Sequence, residues 1–176
     1  MFHQDLNSYN SIRIAGVVRE SIVDGPGFRF VVFCQGCPHG CPGCHNPDTH
    51  NFEGGYDCDM DKIIGAVDAN PLLDGVTFSG GEPFCQAGAF YKLGLELKKK
   101  NLNLMAYSGY TYEELISMND ESVNNLLSIL DLLVDGRYVQ EERDLTLLFR
   151  GSKNQRVIDM NLTRQNGCVT LAEKYL

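Results

Sequence analysis

A stripe of lysine and arginine is missing from this sequence. Its 15 Lys+Arg are outnumbered by 23 Asp+Glu, and the net charge of −8 is spread along 176 residues. That excludes the electrostatic footprint of a protein that grips nucleic-acid phosphates. Long apolar runs are missing too: stretches such as Leu132-Leu133-Val134 fall far short of the roughly 20 residues that cross a bilayer, so no membrane segment is expected. The start, Met1-Phe2-His3-Gln4-Asp5, has none of the basic, apolar and small-residue regions of a secretory signal, and the protein is expected in the cytoplasm. No internal repeat, low-complexity tract or linker divides the chain. With 43% hydrophobic and 22% charged residues, residues 1–176 read as a single domain with a real core.

A disulfide framework is also excluded. The seven cysteines are odd in number, the chain is long enough to fold without staples, and the expected compartment is reducing. What is present is a cluster. Cys34, Cys37, Cys41 and Cys44 fall within eleven residues, whereas Cys58, Cys85 and Cys168 are scattered and read as small buried or idle residues. Clustered thiols argue for metal.

Short strand-like runs alternate with helical patterns, the order that builds a parallel sheet. Phe28 to Phe33 is aromatic and β-branched and predicts a strand. Met60, Ile63, Ile64 and Val67 recur at i, i+3, i+4, i+7, one face of a helix. Val76-Thr77-Phe78 predicts a second strand, broken at Gly80-Gly81-Glu82-Pro83. Phe90, Leu93 and Leu97 share a helical face that closes with Lys98-Lys99-Lys100, where cations suit the helix dipole. Leu102 to Tyr107 predicts a third strand, and Thr111 with Glu114 has capping-box spacing for the next helix. Val123, Leu126, Leu127 and Leu130 continue that pattern. Leu132 to Val134 predicts a fourth strand ending at Asp135-Gly136-Arg137, and further strands are expected at Leu145 to Phe149 and Arg156 to Met160. Ligands of parallel sheets bind at the carboxyl ends of the strands. The cysteine loop, Gly80 to Pro83, Tyr107 to Tyr110 and Asp135 to Arg137 should therefore meet. The chain is too short for an eight-stranded barrel of roughly 250 residues, so a partial, open parallel β/α barrel is expected.

Within Cys37-Pro38-His39-Gly40-Cys41-Pro42-Gly43-Cys44, three-then-two spacing lets a tight loop set three thiolates around one face of an iron–sulfur cube, leaving one iron open to a ligand. The prolines and glycines impose turns and allow close backbone approach. Two zinc knuckles, with His39, His45 or His50 as spare ligands, are the alternative. Paired knuckles are usually separated by roughly 15 to 20 residues, and only three residues lie between Cys37 and Cys41. Cys34, at the end of a strand, reads as a small buried side chain and is left out of the ligand set.

These residues carry a resemblance. Cys-x3-Cys-x2-Cys after a first strand resembles the signature of the radical S-adenosylmethionine enzymes. Gly25-Pro26-Gly27-Phe28-Arg29, Phe33 and Gly36-Cys37 extend it to the activases of glycyl radical enzymes. Cys-Pro-Gly-Cys followed by His45-Asn46, Tyr107-Ser108-Gly109-Tyr110 and Phe149-Arg150-Gly151-Ser152 are similar to the activases of the anaerobic ribonucleotide reductase. The likeness runs from about Ile14 to Val169, with several motifs in the family's order; Gly43, where many superfamily members have an aromatic residue, fits this branch.

The resemblance implies one 4Fe-4S cluster on Cys37, Cys41 and Cys44, with S-adenosylmethionine chelating the open iron through its amino and carboxylate groups. It implies that Gly80, Gly81 and Glu82 meet the methionine amino group, for which exposed backbone and a carboxylate are chemically suited. Gly43 and His45, flanking Cys44, would border the adenine. Asp135, after the fourth strand, stands where related activases place cofactor-binding side chains; Asn154, Gln155 and Arg156 would reach the ribose or carboxylate, and Asp24 and Arg29 would form turns, face a partner or make a buried ion pair. The implied activity is that of an oxidoreductase whose deoxyadenosyl radical makes a glycyl radical on the large subunit of the anaerobic reductase, with an electron donor such as flavodoxin. Alternatives are activation of another glycyl radical enzyme, or a non-catalytic iron–sulfur or zinc module.

Overall fold

The computed structural model describes residues 10–176; the stretch Met1 to Asp5, read above for its lack of a signal, lies outside them. Among these residues seven strands form one sheet: β1 (Ser11–Ser21), β2 (Arg29–Cys34), β3 (Tyr56–Asp59), β4 (Gly75–Gly80), β5 (Asn103–Tyr107), β6 (Leu132–Asp135) and β7 (Arg156–Asp159). Their order is β3-β1-β2-β4-β5-β6-β7. The central strands β2, β4, β5 and β6 are parallel. The edges are antiparallel: β1 and β3 on one side, β7 on the other. The sheet is open, an α/β architecture with a parallel centre.

The expected strand at Leu145 to Phe149 is not formed; the segment is a series of turns and bends. The Asp144 carboxylate accepts bonds from the Thr146 N–H and hydroxyl at 2.9 and 2.6 Å, closing a local turn of the kind that competes with strand pairing. Phe149 has φ +59°, outside the β region. Leu145 is 81% exposed, so its apolarity does not report a core position.

Among the described residues five α-helices complete the fold: α1 (Met60–Asp68), α2 (Ala87–Lys98), α3 (Tyr112–Ser117), α4 (Glu121–Ile129) and α5 (Met160–Asn166). Their starts are chemically marked. Asp59, Asp120 and Asp159 each accept a first-turn N–H at α1, α4 and α5, and Thr111 with Glu114 forms a full capping box on α3, satisfying donors that the helix cannot.

Alternation along the strands separates two faces. Phe30, Val32, Phe78, Leu104, Ala106 and Leu133 pack with Ile63, Phe90, Leu93, Leu97 and Leu126 from the helices into the main core, each fully buried large side chain contributing about 1.5–3 kcal/mol. The opposite face carries a smaller cluster around Met105, Val134 and Val157. It also carries Arg29, fully buried, which donates to Thr77 Oγ1 at 2.6 Å and to the carbonyls of Pro26, Val76 and Asn103. Burial lowers the Arg29 pKa to about 10. Arg29 thereby pins the turn before β2 beneath the site.

Candidate functional site

A cavity of about 450 Å³ opens over the carboxyl ends of the parallel strands. Cys37, Cys41, Cys44 and His45 come from the loop after β2; Ser79, Gly80 and Gly81 from β4 and its turn; Tyr107, Ser108 and Gly109 from β5; Gly136, Tyr138 and a segment from Asp144 to Gly151 from the loop after β6. The four loops expected to meet therefore do meet, as the parallel topology requires.

The cysteine loop is folded by its own backbone. Gly36 N–H donates to Thr49 O at 2.8 Å, Cys37 N–H to His50 O at 3.1 Å and Cys44 N–H to Cys41 O at 3.2 Å, and the Gln35 amide bonds the carbonyls of Asp48 and Asn51. Gly81 N–H donates to Cys34 O and Glu82 N–H to Gly36 O, clamping the turn after β4 to the start of the loop. A Cβ on Gly81 would lie 2.3 Å from Gly36 O, so only glycine allows this approach. Cys34 is fully buried at the end of β2, and burial pushes its thiol pKa well up.

Glu82 is fully buried and does not line the cavity. Its carboxylate accepts from the N–H of Phe84 at 3.1 Å and of Gly109 at 2.8 Å, and from Ser108 Oγ at 3.0 Å. His39 Nε2 lies 2.7 Å away. His39 also packs edge-on against Tyr110, with ring centroids 4.4 Å apart, and a Cβ on Gly109 would sit 2.3 Å from its ring. This hub joins the cysteine loop, the turn after β4 and the loop after β5. Sequence reasoning gave His39 only the role of a spare metal ligand. Its place between two clustered cysteines was visible, but its partner forty-three residues away was not.

Asp135 is also buried and outside the cavity lining. It accepts from Tyr112 N–H at 2.7 Å and from Arg156 Nε and Nη2 at 3.0 and 2.5 Å, while Arg156 reaches Glu113 at 2.7 Å. These bonds push the Arg156 pKa up and hold Glu113 below the usual carboxylate range. Gln155 lines the cavity, but its carboxamide is engaged with Gly136 O and with the N–H of Gly151 and Ser152. Asn154 bonds Arg137 O. Gly43 backs onto Gln140, 2.7 Å from where its Cβ would stand, and His45 faces Tyr138 with centroids 4.9 Å apart. Asp24 lines the cavity and accepts from Ser21 Oγ at 2.5 Å. Tyr107 beside it has its pKa pushed up by burial and then by the Asp24 charge.

The donor set fits an iron–sulfur cluster. Among the described residues, no three His, Cys, Asp or Glu side chains converge as ligands of a single ion, so the fit rests on chemistry: three free thiols share one wall, and side-chain-free backbone at Gly80 and Gly81 lines the same space. Burial pushes the Cys37 thiol up, as do the charges of Glu82, Cys41 and Cys44. Such a set of soft donors is stabilised as thiolates by bound iron.

Residues 23–158 match the family described as a 4Fe-4S single cluster domain. The chain is 38% identical to the anaerobic ribonucleoside-triphosphate reductase-activating protein of Vibrio cholerae serotype O1, over 76% of this chain and 89% of that protein. It is 33% identical to the protein of the same name from Escherichia coli K12, over 77% and 91%. The chain belongs to this family of activating proteins. It carries the family's 4Fe-4S domain, and at 36% identity over 61% of its length it is also similar to the pyruvate formate-lyase-activating enzyme of Clostridium pasteurianum, covering 49% of that enzyme. Among solved structures, QueE from Escherichia coli aligns at a TM-score of 0.46 and 18% identity, over 62% of this chain and 58% of that one.

Proposed function

We propose that this chain is an iron–sulfur activase that reductively cleaves S-adenosylmethionine and installs the glycyl radical on the large subunit of an anaerobic ribonucleoside-triphosphate reductase. The observation that carries this is the meeting of Cys37, Cys41 and Cys44 with Gly80 and Gly81 in one cavity, in a chain of this family. When bound, the cluster would pass one electron from an external reductant to S-adenosylmethionine, and the cofactor's reductive cleavage would supply the hydrogen-atom abstraction from the partner's glycine.

The protein's part is to hold, orient and exclude. Cys37, Cys41 and Cys44 would hold the cluster and leave one iron for the cofactor. Gly80 and Gly81 let the methionine ammonium reach main-chain oxygens, while Glu82, spent on His39, Ser108 and two N–H groups, fixes those glycines against the cysteine loop. His45 and Tyr138 offer ring surfaces to the adenine. Asp135 and Arg156 act from outside the cavity by fixing the strand ends that carry Gly136 and Gln155. No side chain is needed as general acid or base. The mouth is rimmed by Val23 and Leu145, 72% and 81% exposed, an apolar entrance suited to a glycine-bearing segment of the reductase. The electron donor is a flavodoxin-type protein, and the setting is the cytoplasm; among the described residues no helix is long and apolar enough to cross a membrane.

The test is anaerobic incubation of the reduced, cluster-loaded chain with S-adenosylmethionine and the reductase large subunit, followed by electron paramagnetic resonance. A glycyl radical doublet on the large subunit is expected. Deoxyadenosine release without that doublet would move the chain to a different radical substrate.

A further inference from the structure

The three thiols of the cysteine loop are not equally well anchored. Gly36 and Cys37 are bonded to the body of the fold through the carbonyls of Thr49 and His50, and Cys44 is followed by Asn46, whose carbonyl accepts from the Thr49 N–H and hydroxyl. Cys41 lies between them, flanked by Pro38, Gly40, Pro42 and Gly43, all exposed, and its carbonyl accepts only from Cys44 N–H, inside the loop. Among the described residues, one hydrogen bond ties residues 38–43 to the rest of the chain, from His39 Nε2 to the Glu82 carboxylate at 2.7 Å.

That bond is enclosed on every side. The His39 side chain is 3% exposed and that of Glu82 0%. Tyr110 covers one side of the imidazole, with ring centroids 4.4 Å apart, and Gly109 leaves it room that any other residue would take, since a Cβ there would stand 2.3 Å from the ring. Glu82 already accepts from the Phe84 and Gly109 N–H groups and the Ser108 hydroxyl, so it meets His39 as an acceptor and the ring as a donor. The main chain of His39 faces the other way: its N–H favours the Cys37 thiolate, which the charge of Glu82 opposes. One residue thus touches a buried carboxylate with its side chain and a cysteine sulfur with its backbone. Hydrogen bonds to ligand sulfurs and nearby charge are what set the potential of an iron–sulfur cluster.

We propose that His39 is a positioning residue for the cluster: through its bond to Glu82 it holds the Cys41 arm of the loop in place, directs its own N–H at Cys37, and keeps the cluster easier to reduce. Without the bond the Glu82 carboxylate loses the donor that stands between it and the loop, and the N–H at Cys37 is no longer fixed. Both changes disfavour an added electron on the cluster. This assignment rests on the activase reading and deepens it, because the proposed reaction starts with an electron reaching the cluster.

The experiment is anaerobic reconstitution of the wild type, His39→Gln and His39→Leu with iron and sulfide. Iron per chain, iron retained against a competing chelator, and the reduction potential of the cluster by redox titration under electron paramagnetic resonance are then measured. Glutamine can place an N–H where Nε2–H stands; leucine fills the space and donates nothing. In His39→Leu the ratio of reduced to oxidised cluster at a fixed potential is expected to fall about tenfold, a shift of about 59 mV to lower potential for a one-electron couple, and iron is expected to be held about 10- to 100-fold more weakly. His39→Gln should match the wild type in both. A His39→Leu protein that is less stable but keeps the wild-type potential shows a purely structural role and overturns the proposal, as does an equal shift in both variants. If His39→Leu takes up no iron, His39→Gln decides: wild-type iron and potential support the assignment, and an empty or shifted His39→Gln overturns it. A wild type that takes up no iron defeats the activase reading and this proposal together, whereas a loaded wild type beside indifferent variants defeats this proposal alone.

Discussion

The two walls of the cavity are built on opposite plans. The wall formed by the ends of β2, β4 and β5 is saturated: Glu82 gathers His39, Ser108, Gly109 and Phe84, and glycines let loops touch backbone to backbone. The facing wall, from Asp144 to Gly151, has no regular structure, exposes Leu145 and Leu148 and leaves Arg150 Nε unmatched. The difference teaches where the fold ends and the ligands begin. A cluster needs ligands held still, so its wall is part of the folded core. In the proposed function a cofactor and a partner segment enter and leave past the other wall, which keeps one unmatched donor, Arg150 Nε.

If that contrast is right, substitutions on the two walls should separate stability from binding. The largest effect belongs to the ligands: Cys41→Ala should drop iron in the reconstituted protein from about four per chain to a small fraction of that, while Cys34→Ala should keep it, both read by iron analysis. Next comes the hub. Glu82→Ala strands a histidine, a hydroxyl and two N–H groups without their acceptor, and should cost about 3 kcal/mol, seen as a lower urea midpoint even without iron. A smaller effect tests a region far from the site. Burial alone would raise the Asp131 pKa, but bonds from Lys98, Leu104 N–H and Asn161 outweigh it and hold it below the usual range. A depressed carboxylate stabilises above its unfolded pKa and loses that contribution as pH falls through the folded value. Stability measured from about pH 5 downward should therefore fall less steeply in Asp131→Asn than in the wild type. Smallest of all, Leu145→Ser on the open wall should move stability by no more than about 0.5 kcal/mol, with unchanged iron content.

The saturated wall was the more legible one. The cysteine spacing, the Gly80-Gly81 turn after a strand and the Thr111–Glu114 capping box are local patterns, and the structure has β4 and α3 where those patterns put them. What escaped was non-local. β3, with the sequence Tyr-Asp-Cys-Asp, shows no apolar alternation and is a strand only because β1 pairs with it. β1 carries two register irregularities that blur its period. The antiparallel direction of β7 is set by the return of the chain, which no local pattern encodes. The partnership of His39 with Glu82 and the pairing of Asp135 with Arg156 join residues distant in sequence, and the family resemblance placed Glu82, Asp135 and Arg156 at a ligand instead. In the structure those three side chains bond to the protein itself. On the open wall, Leu145 to Phe149 read as a strand because apolar residues usually mark burial, and here Leu145, Leu147 and Phe149 line the cavity instead.

The central claim is tested most directly by loading the protein anaerobically with iron and sulfide, reducing it with S-adenosylmethionine present, and measuring iron per chain together with deoxyadenosine formed. The account predicts about four irons per chain and deoxyadenosine that appears only on reduction; zinc in place of iron, or a reduced cluster that leaves S-adenosylmethionine intact, would contradict it.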